Sequence, residues 1–99
     1  MTASAPLDPH RLAALYQTHT AAHRILDVIA ARDGAPSETT VETLLQDAAV
    51  DRPAAIDALR QLAMAGCGDF IVGRRGAPTR FRWIAGMNRL GELMARGEV

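Results

Sequence analysis

Arginine is the residue type in this chain whose spacing most clearly suggests chemistry, and that chemistry is the binding of anions. Residues 70–90 contain no acidic residue and five arginines: Arg74, Arg75, Arg80, Arg82 and Arg89. Residues 33–69 contain seven acidic residues and two arginines, a local charge of minus five, although the whole chain is formally neutral. Because guanidinium groups pair well with phosphate, we expect any polyanion to meet the chain at residues 70–90.

Other residue types do not form a recognisable catalytic or metal site. His19 and His23 are four residues apart and could share a metal, but the pattern is more typical of a helix contact. Cys67 is the single cysteine, which excludes an internal disulfide and a zinc site of the usual cysteine type. No nucleophile lies beside a base, and the segment GRRG lacks the lysine of a nucleotide loop. We therefore expect no enzyme activity, no cofactor, no metal and no small-molecule ligand.

The elements that position the arginines follow from periodicity. Apolar residues at three- and four-residue steps predict helices at about residues 9–32, 40–49, 52–65 and 87–96. The first is expected to end near Arg32, before a glycine and a proline. Thr39 is expected to cap the second helix together with Glu42, and Asp51 the third. Ile56, Leu59, Leu62 and Ala63 should form the buried stripe of the third helix.

The period then changes from helical to alternating. Phe70 begins a run of β-forming residues, and the segment RFRWIA alternates arginine with apolar residues. Two glycines and a proline lie between these runs. This pattern predicts a β-hairpin over about residues 69–85 with a basic tip. The whole is a mainly α chain with a small hairpin (α+β): a flexible tail at residues 1–7 and a single domain at residues 8–99.

Residues 40–83, TVETLLQDAAVDRPAAIDALRQLAMAGCGDFIVGRRGAPTRFRW, resemble the winged helix-turn-helix superfamily of prokaryotic DNA-binding transcription regulators. The resemblance rests on the order and spacing of the elements, and Ala49 stands where many such turns use glycine. It implies that the third helix lies in the major groove of double-stranded DNA. It also implies that the hairpin loop, the wing, contacts the backbone or the adjacent minor groove.

Two groups of DNA-contacting residues follow from this resemblance. The third helix would contribute Arg52, Ala55, Arg60 and Gln61, with Arg52 and Gln61 able to read base edges and an Asp57–Arg60 pair beside them. The hairpin would contribute Arg74, Arg75, Thr79, Arg80 and Arg82. Two other interpretations of the basic loop remain, a solvated loop that keeps a sheet edge unpaired and a contact with an acidic protein.

A first helix of this length exceeds the needs of so small a core, which favours a homodimer. The expected dimer interface is formed by Leu12, Leu15, Tyr16, His19, Leu90, Leu93 and Met94. The alternative is that the last helix covers the first within one chain. The sequence lacks a membrane-length apolar run and a signal-peptide pattern, so we expect a cytoplasmic, nucleoid-associated regulator of transcription. The competing function is a winged-helix module for protein–protein interaction in a larger assembly.

Overall fold

The computed structural model describes residues 6–31 and 38–97 of the chain. Within these residues, five helices and one antiparallel three-stranded sheet make up a mixed α+β fold, the class that the sequence predicts. In chain order the elements are α1 (Pro9–Thr18), α2 (Thr20–Ala30), β1 (Glu38–Thr40), α3 (Val41–Asp47), α4 (Arg52–Met64), β2 (Gly68–Ile71), β3 (Arg80–Trp83) and α5 (Met87–Ala95). Among the described residues, no helix combines the length and the apolar character that crossing a bilayer requires.

The prediction of one long helix over residues 9–32 is wrong, because the helix is interrupted at His19 and forms two helices, α1 and α2. His19 is extended, with φ −108° and ψ 104°. Its backbone N–H donates to the Leu15 carbonyl, while its Nδ1 accepts from the Ala22 N–H at 3.3 Å. The Thr18 hydroxyl also donates to the Ala14 carbonyl at 2.7 Å, a bond that commonly bends helices. One residue therefore ends the first helix and caps the second. The predicted end near Arg32 and most of the predicted tail lie outside the described residues.

The last helix covers α2 within the same chain, which is the alternative that the sequence left open. Gly91 of α5 makes the close approach possible. A Cβ at this position would lie 2.9 Å from the Ala30 Cβ and 3.1 Å from the Leu26 carbonyl oxygen. Met87 and Met94 of α5 are buried in the common core. Packing of α5 on α2 thus uses apolar surface that a dimer would otherwise have buried.

The turn between α3 and α4 is shaped by capping and by one left-handed residue. Asp51 caps α4 as predicted, accepting from the Ala54 N–H at 3.1 Å. The cap of α3 is Thr40, not the predicted Thr39, and its hydroxyl accepts from the Thr43 N–H at 3.2 Å. Ala49, the residue at which many such turns use glycine, has φ 54°. The turn therefore adopts the backbone conformation that glycine favours without having a glycine.

The sheet has the order β1-β3-β2, with β3 in the centre. Strand β1 was not predicted, and it explains why Thr39 is unavailable as a cap. Thr39 is only 4% exposed and accepts a hydrogen bond from the Trp83 indole N–H at 2.8 Å. Phe81 and Trp83 point into the core from β3, so the alternate residues of the same strand, Arg80 and Arg82, face away from it.

Candidate nucleic-acid interface

The loop between β2 and β3 is held in a defined conformation by hydrogen bonds between its own residues. The Gly73 N–H donates to the Thr79 hydroxyl at 2.9 Å, across the base of the loop. A Cβ on Gly73 would lie 2.1 Å from the Ala77 carbonyl oxygen, so only glycine allows the two sides of the loop to approach this closely. Thr79, predicted as a DNA contact, is half-buried, and its hydroxyl oxygen accepts this hydrogen bond within the loop.

A tight turn forms the tip. The Ala77 N–H donates to the Arg74 carbonyl at 3.0 Å, and the two central residues, Arg75 and Gly76, have φ 53° and 86°. Positive φ at both central positions is the backbone of the turn that best fits the twist of a hairpin. Glycine accepts that conformation freely, whereas arginine does so at a cost of roughly 1–2 kcal/mol. Arg75 therefore holds a conformation that its own type disfavours, at the tip of an exposed loop.

Arg74 and Arg75 are the free cations of the loop. Both side chains are exposed. Within residues 6–31 and 38–97, neither guanidinium has a carboxylate or hydrogen-bond partner. The tip thus presents two adjacent positive charges to solvent on a backbone fixed by cross-loop hydrogen bonds.

Arg80 and Arg82, predicted as further phosphate contacts, lie on the outer face of the sheet beside Glu38. The Glu38 carboxylate is 3.1 Å from Arg80 Nε and 3.6 Å from Arg82 Nε. Arg80 also donates to the Pro78 carbonyl at 3.2 Å. One carboxylate therefore offsets part of the charge of two arginines. Sequence reasoning missed Glu38 because it lies in the unpredicted strand β1, although the β-branched residues that follow it were a signal for a strand.

The exposed side of α4 differs from the predicted reading face. Ala55, predicted to contact DNA, is wrong for that role because it is fully buried, as is Ala58. The buried stripe consists of Ala55, Ala58, Leu59 and Leu62, whereas the predicted Ile56 is only half-buried. Alanine occurs on both buried and exposed helix faces, so it contributes little to a hydrophobic pattern. The prediction therefore placed the buried face of α4 on its larger apolar side chains.

The polar residues of α4 contact other parts of the chain. Arg52 donates to Glu42 at 3.0 Å, and Arg60 lies over the Phe70 ring at 5.5 Å from its centre. The predicted Asp57–Arg60 pair is absent from the contacts of Asp57, which binds His19 Nε2 at 2.7 Å and the Gln61 amide at 3.3 Å. The hydrogen bond from His19 lowers the pKa of Asp57, and the bond from Gln61 adds to this effect.

Three residues of the expected dimer interface belong to the core of the chain. Leu12, Leu15 and Met94 are at most 7% exposed, which corrects their assignment to a surface between two copies. Tyr16 and His19 are half-buried and make bonds within the chain, whereas Leu90 and Leu93 remain partly exposed on α5. The homodimer stays a prediction, with a smaller apolar surface than the sequence indicated.

A cavity of about 250 Å³ lies at the junction of α1 and α2, lined by Tyr16, Gln17, His19, Thr20, His23 and Arg24. The ionisable side chains that line it form hydrogen bonds or ion pairs with other groups of the chain. Tyr16 Oη donates to Asp27 at 2.8 Å, and the other oxygen of Asp27 is 3.2 Å from His23 Nε2. Burial and then the bond to Asp27 raise the pKa of Tyr16. Arg24 donates to the Ala49 carbonyl at 3.1 Å. The polar side chains of the cavity wall therefore link α1, α2 and the turn after α3 by hydrogen bonds.

No protein-family model, no curated protein and no solved structure matches this chain.

Proposed function

We propose that this chain is a winged helix-turn-helix protein that binds double-stranded DNA and acts as a nucleoid-associated regulator of transcription. The observation that carries the proposal is the pair of adjacent guanidinium groups, Arg74 and Arg75, at the tip of a hairpin. Both are exposed, and neither has a partner among the residues that the structure describes. The other two arginines of the hairpin, Arg80 and Arg82, lie at its base and share the carboxylate of Glu38.

The arrangement of the helices supports this proposal. Helices α3 and α4 are joined by a short turn and are followed directly by the β2-β3 hairpin, which is the order that the resemblance implies. Both helices begin with side-chain caps, and α4 packs on α2 and β2, so the hairpin projects from a body held by a shared core. A loop carried on such a body can be presented to a duplex with little loss of conformational entropy.

The shape of the tip suits a groove of the duplex. Glycines at positions 73 and 76 carry no side chain, which leaves the backbone narrow on both sides of the two arginines. The negative potential of a narrow minor groove attracts inserted arginine side chains, and the neighbouring phosphates attract any cation. Fixed backbone geometry at the tip keeps the two charges close together before binding.

A salt titration tests the proposal. Each phosphate contact contributes about 0.9 to the slope of log affinity against log salt, so Arg74→Ala with Arg75→Ala should reduce the slope by about 1.8 per chain. Between 50 and 200 mM salt the parent should then lose about 12-fold more affinity than the double variant. The measurement is fluorescence anisotropy with a labelled mixed-sequence duplex.

The matched control is the double variant Arg89→Ala with Arg96→Ala, which removes the same charge from α5 and from the residue that caps its C-terminus. Its slope should stay close to that of the parent. Equal slopes for the parent and the loop variant would refute the loop as the DNA contact. Absence of duplex binding at low salt would refute DNA binding altogether and favour the protein-interaction module.

A further inference from the structure

The polar side of α4 is already engaged by the chain itself. Its polar residues at the surface are Arg52, Asp57 and Arg60, which are exposed, and Gln61, which is half-buried. Each of them has a partner: Glu42 for Arg52, His19 for Asp57, Asp57 for Gln61 and the Phe70 ring for Arg60. A helix that reads bases must offer such groups to the major groove, where they would exchange water for base edges.

The two groups best suited to read bases are those held by carboxylates. Arg52 would recognise guanine and Gln61 adenine. Arg52 donates to Glu42 at 3.0 Å, and the bond lowers the pKa of Glu42, so this carboxyl group remains charged at neutral pH. Gln61 donates to Asp57, a carboxylate whose other strong contact is His19 at 2.7 Å. Reading a base would require both contacts to open and would leave both carboxylates near the DNA.

Charge at the start of α4 also opposes a close approach to DNA. The N-terminus of a helix normally attracts phosphate through its free N–H groups and its dipole. In α4 that position is taken by Asp51, whose carboxylate accepts from the Ala54 N–H. Together with Glu42 and Asp57, it places three exposed carboxylates on or beside the end that would enter the groove.

We infer, on the basis of the proposed function, that the chain binds B-form duplexes irrespective of base sequence and does not read bases through α4. The contact is made by residues 72–79, which carry Arg74 and Arg75 and are here named the arginine loop. The substrate class is double-stranded DNA recognised by its backbone charge and groove shape. Contacts of that kind position a protein on DNA without carrying direct sequence information.

The size of the effect separates this inference from base reading. A bidentate contact in the major groove discriminates against a wrong base pair by about 5- to 150-fold. An exchange of A·T for T·A changes the pattern in the major groove, whereas the minor groove shows the same acceptors in both. Duplexes that differ only by such exchanges, placed so that no A-tract or TA step is created or lost, keep a similar minor-groove width. They therefore report on a helix in the major groove and change little for arginines in the minor groove.

The experiment has two stages with the full chain. The first selects from a duplex library with a randomised central segment at physiological salt, and the second measures affinity for individual duplexes before and after A·T to T·A exchange. We expect no enriched motif that depends on base-pair orientation, and affinities that agree within about threefold, below the smallest effect of a bidentate contact. Gln61→Ala, a substitution without change in charge, should leave these affinities unaltered.

An enriched motif whose affinity falls tenfold or more on exchange, with Gln61→Ala abolishing the difference, would overturn the inference and leave DNA binding intact. Loss of binding to every duplex, in the parent as well as the variant, would instead overturn the proposed function on which the inference rests. Arg74→Ala with Arg75→Ala serves as the positive control, because it should weaken binding to all duplexes to the same degree.

Discussion

Replacing Arg75 by glycine should make the protein more stable and at the same time weaken its binding to DNA. Arg75 has φ 53°, a left-handed conformation, in the turn that carries the two free arginines. The disfavoured conformation of Arg75 motivates the hypothesis that its side chain has a role at the exposed tip. The substitution separates the two contributions, because glycine removes both the strain and the charge.

The magnitude follows from two opposing effects. The left-handed conformation costs a residue with a side chain roughly 1–2 kcal/mol, which glycine does not incur. Glycine also increases the conformational freedom of the unfolded chain, which costs about 0.4–1 kcal/mol on folding. With central values of about 1.5 and 0.7 kcal/mol for these two effects, the net gain in the free energy of unfolding is about 0.8 kcal/mol. For a chain of this length, that gain raises the Tm by roughly 3–6 °C.

Arg74→Gly is the matched control, since it removes the same side chain from the adjacent position, where φ is not positive. This variant should be slightly less stable than the parent, because only the cost in the unfolded chain applies. Both variants should lose about 0.9 from the salt slope of DNA binding. The assays are thermal denaturation followed by circular dichroism and anisotropy titration. An Arg75→Gly variant no more stable than Arg74→Gly would refute the argument from backbone strain.

Three further predictions concern the core and the helix contacts. Burial raises the pKa of Cys67 to about 12, so its reaction with iodoacetamide at pH 8 should be at least about a thousandfold slower in the native protein than in urea; rapid native labelling would contradict this. The pKa of Asp57 is lowered in the folded state, so its contribution to stability is present above the ordinary carboxyl range and is lost as the pH falls through that lowered value. In urea unfolding from pH 2 to 6, the free energy of unfolding should therefore fall less on acidification for Asp57→Asn than for the parent. Thr39→Val leaves the Trp83 indole N–H buried without its acceptor and should cost about 1–3 kcal/mol in urea unfolding, whereas an unchanged midpoint would exclude this bond as a stabilising contact.

Features set by local chemistry were accessible from the sequence. Asp51 as the cap of α4, the glycine that follows α4 and the alternation of β3 all depend on residues within a few positions of each other. The turn with two arginines between two glycines is equally local, so the exposed tip could be located before the structure was known. These features define the α+β class and the position of the candidate site.

Features set by distant contacts were not accessible. The break at His19 leaves the apolar spacing almost unchanged, and one of the contacts that hold it, with Asp57, spans 38 positions. Strand β1 has three residues and exists through its pairing with β3, in which Glu38 lies opposite Arg82. The charge of Arg82 is thus offset by a residue that no local pattern connects with it.

The central claim is that DNA meets this protein at the arginine loop, and a titration of the ¹⁵N-labelled chain with a mixed-sequence duplex at low salt tests it most directly. We predict that the amide signals of residues 73–77 and of Thr79 shift or broaden as duplex is added, while those of α5 stay in place. Shifts confined to α5 or to the cavity between α1 and α2, with the signals of the loop unmoved, would contradict the claim.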